Sequence, residues 1–223
     1  MPLQQSALTT WPVVQAALGH SDAAQQARTE RLIDSVSVAM AQEIGRTVQR
    51  TAGIVERHGS DGFPRLFLRR LPVSSISAIV RLAQDGSIAE TFTTTSYEIE
   101  NASLGWVYRE GGWPATGEPK GGFTPGIQSR GPPRESIRVT YTAGYITPYQ
   151  SSTEGGAVGT RDLPFDLEEA CIQSVIALAN RYGSEHNITT NAVTDRQTTW
   201  EPIKGGLLLP MTIAVCERYR TVV

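Results

Sequence analysis

Apolar residues Leu32, Val36, Met40 and Ile44 fall four apart, with Ile33 and Val48 widening the stripe. Arg28, Glu30, Asp34 and Gln42 hold the opposite side, so the spacing predicts a helix over 23–50 with one buried face. Ser21 or Asp22 supplies its cap. Before it, TTWPVVQAALG reads as a short helix over 9–19, with Thr9 or Thr10 as cap, Pro12 in the first turn and Gly19 as stop. From Ile54 to Gly62 this pattern breaks into a polar stretch ending in the turn-like HGSDG.

The period then falls to two. Leu66 and Leu68 alternate with Arg65, Phe67 and Arg69, and Pro72 ends that run or marks an edge. SSISAIVRLA and SIAETFTTT flank Asp85-Gly86, the strongest hairpin signal in the chain. Tyr97 to Glu100 alternates again, and Leu104, Trp106 and Tyr108 share one face of the next strand. In SIRVTYTAGY, Ile137, Val139 and Tyr141 oppose Arg138, Thr140 and Thr142, as in a half-buried strand. Tyr145 to Gly159 reads as a polar connection.

The second strong helical pattern covers 164–184. Pro164 opens it, Asp162 or Asp166 caps it, and Glu168 and Glu169 suit its first turn. Leu167, Cys171, Ser174, Val175, Leu178 and Tyr182 form one face, broadened by Ile172 and Ile176. So wide a stripe predicts burial on more than one side. Residues 185–206 are polar and extended, and LLLPMTIAVCERYRTVV closes the chain as a short helix that should dock on something. The fold class is therefore α+β: a helical bundle with an inserted antiparallel β region over 63–145. The domain spans 1–184, and 185–223 forms an extended C-terminal arm.

Composition changes this picture little. The chain has 223 residues, 39% of them hydrophobic, and a formal charge of -2, which argues against a strongly basic nucleic-acid binder. Lys120 and Lys204 are the lysines, so arginine carries nearly all the positive charge and suits bidentate or inter-subunit contacts. Cys171 and Cys216 are too few and too far apart for a disulfide framework or metal cluster, and both read as buried thiols of a protein in a reducing cytoplasm. No apolar run reaches membrane-span length, so no membrane partner is expected.

Chemistry is harder to find. His20, His58 and His186 each sit beside Gly, Ser or Asn in expected loops, away from a shared helix face. Asp166, Glu168 and Glu169 fit a helix start better than an acid/base pair. The glycines of GGWP and KGGF lack the strand-before, helix-after context of a nucleotide fingerprint. No catalytic, cofactor-binding or metal residues are assigned. The Gly/Pro-rich loop over 111–133 is either a partner-binding element or a surface insertion, with Trp113 and Phe123 as the aromatics able to anchor it.

Four stretches carry a family resemblance: RTERLIDSVSVAMAQEIGR; FLRRLPVSSISAIV; YEIENASLGWVYREGGWP with SIRVTYTAGY; and LPFDLEEACIQSVIALANRYGSE. In this order they resemble the head-to-tail connector (adaptor, or head-completion) proteins of tailed bacteriophages, over most of 7–184. The loop over 111–133 and the linker over 145–162 are longer than that family's pattern. The resemblance implies a non-enzymatic virion protein without cofactors, assembled in the host cytoplasm. It implies a homo-oligomeric ring of about twelve copies beneath the portal, which extends the channel for double-stranded DNA and seats a stopper or tail. No sequence-specific DNA binding is implied. Leu207, Leu208, Leu209, Ile213, Arg218, Tyr219 and Arg220 become candidates for portal docking, and Asp85, Gly86, Trp113 and Phe123 for subunit or tail contacts. A stopper or tail-completion protein is the alternative; an enzyme or small-ligand module using the Gly-rich loop is a remoter one.

Overall fold

A computed structural model describes residues 3–4, 6–19, 23–59, 62–83, 85–114, 136–152, 159–183, 190–193, 196–199 and 207–220. Side chains of 23–24, 181–183, 190–193 and 196–199 lie outside that description, as do His20, Ser21, Asp22, Phe123 and His186. The protein is α+β, and it divides into two compact units: Met1–Gln49 with Tyr145–Val223, and Arg50–Gly144.

The first unit holds five helices among the described residues: α1 (Trp11–Leu18), α2 (Ala23–Ile44), α3 (Pro148–Ser151), α4 (Phe165–Gly183) and α5 (Pro210–Tyr219). The α2 stripe Leu32, Ile33, Val36, Met40 and Ile44 is buried as its spacing predicts. The helix stops at Ile44, short of Arg50, because Gly45 turns left-handed at φ 81° and its N–H and that of Arg46 close on Ala41 O. In α4, Leu167, Cys171, Ser174, Val175 and Leu178 are all buried. The width of that stripe has a local cause, since α1, α2 and α5 all pack on α4 within this unit.

The linker after Gly144 is more structured than its polar composition suggests. Tyr145 bridges Gln49, Ile146 and Tyr149 are buried, and Thr147 and Gln150 cap α3 reciprocally. Asp162 is engaged here too, accepting from the Ile146 N–H, while Asp166 lies in the first turn of α4. The arm after α4 contains a two-stranded antiparallel ladder, β8 (Thr190–Val193) with β9 (Arg196–Thr199).

The second unit carries two antiparallel sheets. One has the order β1-β7-β3-β4, from β1 (Thr51–His58), β7 (Ile137–Ala143), β3 (Val73–Leu82) and β4 (Ile88–Phe92). The other is β2-β6-β5, from β2 (Arg65–Phe67), β6 (Trp106–Tyr108) and β5 (Glu98–Asn101). Ile79, Phe92, Ile137, Val139 and Tyr141 of the larger sheet share one core with Leu66 and Val107 of the smaller. The β3–β4 hairpin forms around Asp85-Gly86 as expected, with Gly86 at φ 85°.

Strand β1 corrects the expected break after Ile54. Its half-buried positions are Ile54, Glu56 and His58, so two of its three inward side chains are polar and the hydrophobic alternation disappears. The ladder to β7 decides the outcome, pairing Ile54 with Tyr141, Glu56 with Val139 and His58 with Ile137. His58 thus ends a strand rather than occupying a solvated loop, and its side chain is 10% exposed. On β6 the core residue is Val107, and Trp106 and Tyr108 point the other way.

Candidate interaction surfaces

Trp113 is a core residue, not a surface anchor. It is 2% exposed and meets Phe92 edge-on at 5.5 Å, with Tyr97 at 6.4 Å. The backbone delivers it there: Trp113 N–H bonds Phe63 O, and Gly112 N–H bonds Arg109 O. At Gly112, φ is 79° and a Cβ would lie 2.2 Å from Gly62 O, so only glycine allows this approach. The Arg109 guanidinium covers the Phe92 ring at 4.7 Å. Phe123, the other aromatic of that loop, lies outside the described residues.

At the hairpin tip, Asp85 Oδ1 accepts from Ser87 N–H at 2.9 Å and Ser87 Oγ at 2.6 Å. Those bonds hold the exposed carboxyl below its ordinary range. Asp85 and Gly86 therefore form a locally tied, solvent-facing tip.

Helix α5 docks on its own unit. Thr212 and Cys216 are fully buried, and Thr212 Oγ1 lies 2.8 Å from Ser174 Oγ and donates to Ala170 O at 3.1 Å. Tyr219 OH donates to Asp166 Oδ1 at 2.7 Å, and Arg46 donates to Tyr219 O at 3.1 Å, where the helix leaves carbonyls open. Arg218 and Arg220 reach Asp166 and Glu43 at 3.9 Å each. Leu208 and Tyr219 pack on the helical core, and Leu209 and Ile213 are half-buried. Of the candidates, Leu207 at 40%, Arg218 and Arg220 remain outward, and Met211 at 54% joins them. Met211 went unnoticed in the sequence, although 207, 211, 214 and 218 share helical spacing.

A polar knot closes one edge of the β core. Glu56 Oε1 accepts from Tyr141 OH and Oε2 from Arg69 N–H, and His58 Nε2 lies 3.2 Å from that same Oε2. Tyr141 OH accepts from Arg70 N–H at 3.1 Å, and burial together with Glu56 pushes the phenol up. Burial works to raise the Glu56 carboxyl, but the bonds from His58, Tyr141 and Arg69 outweigh it and hold it below its ordinary range. A depressed carboxyl stabilises the fold above its unfolded pKa, and that stabilisation is lost as pH falls through the folded value. In the helical unit, Glu168 runs the other way: burial raises it despite Arg161 and Thr9 beside it. Acidification from about pH 6 to about pH 3 is therefore expected to lower the protection of β1 and β7 amides, relative to their intrinsic exchange rates at each pH, before that of α4, and Glu56→Gln should flatten that response. Equal acid sensitivity of β7 in the variant and the parent would contradict this.

The outer faces of both sheets escaped the sequence reading. On the smaller sheet, Phe67 pairs with Trp106 and meets it edge-on at 5.9 Å, while Arg65 lies 5.2 Å from the Trp106 ring and bonds Glu100 with two nitrogens. Phe67 is 56% exposed. On the larger sheet, Arg57 stands directly opposite Arg138.

Among the described residues no three His, Cys, Asp or Glu side chains are grouped to hold a metal ion. Among them no helix is long and apolar enough to cross a membrane. Neither a family profile nor a curated protein matches the chain. Solved structures do. One is the neck of an empty GTA particle computed with C6 symmetry, at 17% identity and TM-score 0.48, covering 100% of this chain and 94% of that one. Another is the neck of a native GTA particle computed with C12 symmetry, at 19% identity and TM-score 0.45, with 100% and 93% covered. A third is the virion of a native gene transfer agent (GTA) particle, at 18% identity and TM-score 0.42, with 100% and 94% covered. These three solved chains similar to this protein come from the neck and virion of gene transfer agent particles.

Proposed function

We propose that this protein is a head-to-tail adaptor, a non-enzymatic virion component that forms a ring of about twelve copies beneath the portal. The ring extends the channel for passing double-stranded DNA and seats the stopper or tail. The observation that carries this reading is where the resemblance motifs fall. VTYTAGY is β7, the strand flanked by both β1 and β3, and LPFDLEEA opens α4, the helix on which α1, α2 and α5 pack. The motifs are thus the scaffold of each unit, and the surfaces around them are left to make contacts. The low net charge suits a channel through which DNA slides, because several phosphate contacts per subunit would hold it.

Within this reading, Leu207, Arg218 and Arg220 serve portal docking from the outward side of α5 and its flanks, together with Met211. Asp85 and Gly86 present the hairpin tip to a neighbouring subunit or to the tail side. The experiment is imaging of portal-bearing heads that lack this protein, before and after its addition. A ring of new density directly below the portal is expected. Leu207→Asp with Arg218→Glu should weaken attachment about tenfold without unfolding the chain, since both side chains are outward. Density only on the far side of an existing ring would assign a stopper instead, and heads that never acquire the protein would sink both readings.

A further inference from the structure

Arg57 and Arg138 are cross-strand neighbours on the outer face of the four-stranded sheet. Like charges in that position repel, and such pairs are destabilising unless something anionic meets them. Around them the ladders place exposed Val55 and Thr91, half-buried Thr140 and buried Val80, none of them a carboxylate, so Arg57 is the more exposed arginine and Arg138 is half-buried. Neither arginine forms an ion pair with another described residue. Among the described residues this face is positive and has no counter-charge.

The smaller sheet presents the converse. Its outer face carries Phe67, Trp106 and Tyr108, with Glu98 and Glu100 on the adjoining strand. Glu100 is taken by Arg65, but Glu98 is exposed and makes no ion pair among the described residues. Exposed Phe67 against half-buried Trp106, beside the unpaired Glu98 carboxylate, is what guanidinium groups would meet well, by ion pairing and by stacking on the Phe67 ring. Because both sheets enclose one core, these two outer faces look away from each other.

We infer that the β unit self-associates head to tail, the Phe67–Trp106–Glu98 face of one copy seating on the Arg57–Arg138 face of the next. Two different faces on opposite sides of a unit give a heterologous contact, which propagates and closes only as a ring. This inference rests on the adaptor reading for its purpose, since it names the subunit contact a ring requires, but its test uses no heads, so either can fail alone.

Sedimentation velocity of the full chain across a wide concentration range should show association beyond a dimer. Arg57→Glu with Arg138→Glu should weaken it at least about tenfold, as should Phe67→Asp with Glu98 left in place. Mixing the two variants is the decisive arm: each keeps one good face, so together they should form a 1:1 pair that grows no further. Circular dichroism and thermal midpoints of both variants are expected to match the parent, because every substituted side chain points away from the core. A parent that stays monomeric overturns the proposal, as does a mixture that stays monomeric. So does unaltered association combined with weaker retention on duplex DNA, which would make the arginine pair a phosphate contact.

Discussion

Replacing Trp113 with alanine is expected to cost about 3–5 kcal/mol, enough to unfold the β unit at modest temperature. The indole is 2% exposed, and its loss would open a cavity lined by Phe92 and Tyr97 that the surrounding ladders cannot collapse to fill. Arg109 would lose one of the two rings it covers. Hydrogen exchange should show β3, β4 and β7 opening while the α2 and α4 amides stay protected, because the helical unit has a separate core. Phe67→Ala, on the outer face of the same unit, should change stability by less than about 1 kcal/mol. A Trp113→Ala chain with the parent's midpoint would show that the loop residue carries no core packing.

Trp113 also shows where sequence reading stops. GGWP reads as loop because glycine and proline exclude regular structure, yet the same Gly112 is what lets the backbone close against Gly62 and drop the indole inward. Long-range contacts of that kind leave no periodic trace. Strand β1 was hidden for a related reason: inward Glu56 is satisfied by Tyr141 and the backbone of Arg69, partners 85 and 13 residues away, and inward His58 lies against that same carboxylate at 3.2 Å. Helix α3 is only four residues long and rests on the reciprocal Thr147–Gln150 cap. By contrast α2, α4, β7 and the Asp85-Gly86 hairpin were legible, since each carries its own period or turn residue. Of the residues singled out from the sequence as candidate contacts, Asp85, Gly86, Leu207, Arg218 and Arg220 are exposed. Position in the sequence did not find the sheet faces, because a cross-strand pair such as Arg57–Arg138 exists only once the register is known.

The second large effect concerns the end of the chain. A chain ending before Leu207 is expected to lose the helical unit's fixed packing, at a cost of about 5 kcal/mol or more, comparable with the whole stability of many domains. Removing α5 strips Thr212 and Cys216 from their buried sites and leaves Ser174 without its hydroxyl partner and Arg46 without the Tyr219 carbonyl. Loss of near-ultraviolet circular dichroism with retained far-ultraviolet signal is the expected signature. The point variants Leu207→Asp and Met211→Asp serve as controls and should keep the parent's midpoint. Native unfolding of the shortened chain would mean that α5 contributes no core. The practical corollary is that failure of such a truncation to attach to heads would report on folding, whereas the outward substitutions report on docking.

The pairing of Gln49 with Tyr145 has a kinetic consequence. Val48 O accepts from Tyr145 N–H at 2.9 Å, so the chain leaves the helical unit and re-enters it at one spot. Until the intervening segment, Arg50–Gly144, is compact, α2 and α4 are the ends of a long flexible tether, and their meeting must bear its closure entropy. Once Arg50 has bonded Gly144 and β1 has zipped to β7, that tether is in effect a stub. Helices that would search slowly for one another then do so as near neighbours, which orders the assembly of the chain: the interruption folds first and the interrupted unit afterwards.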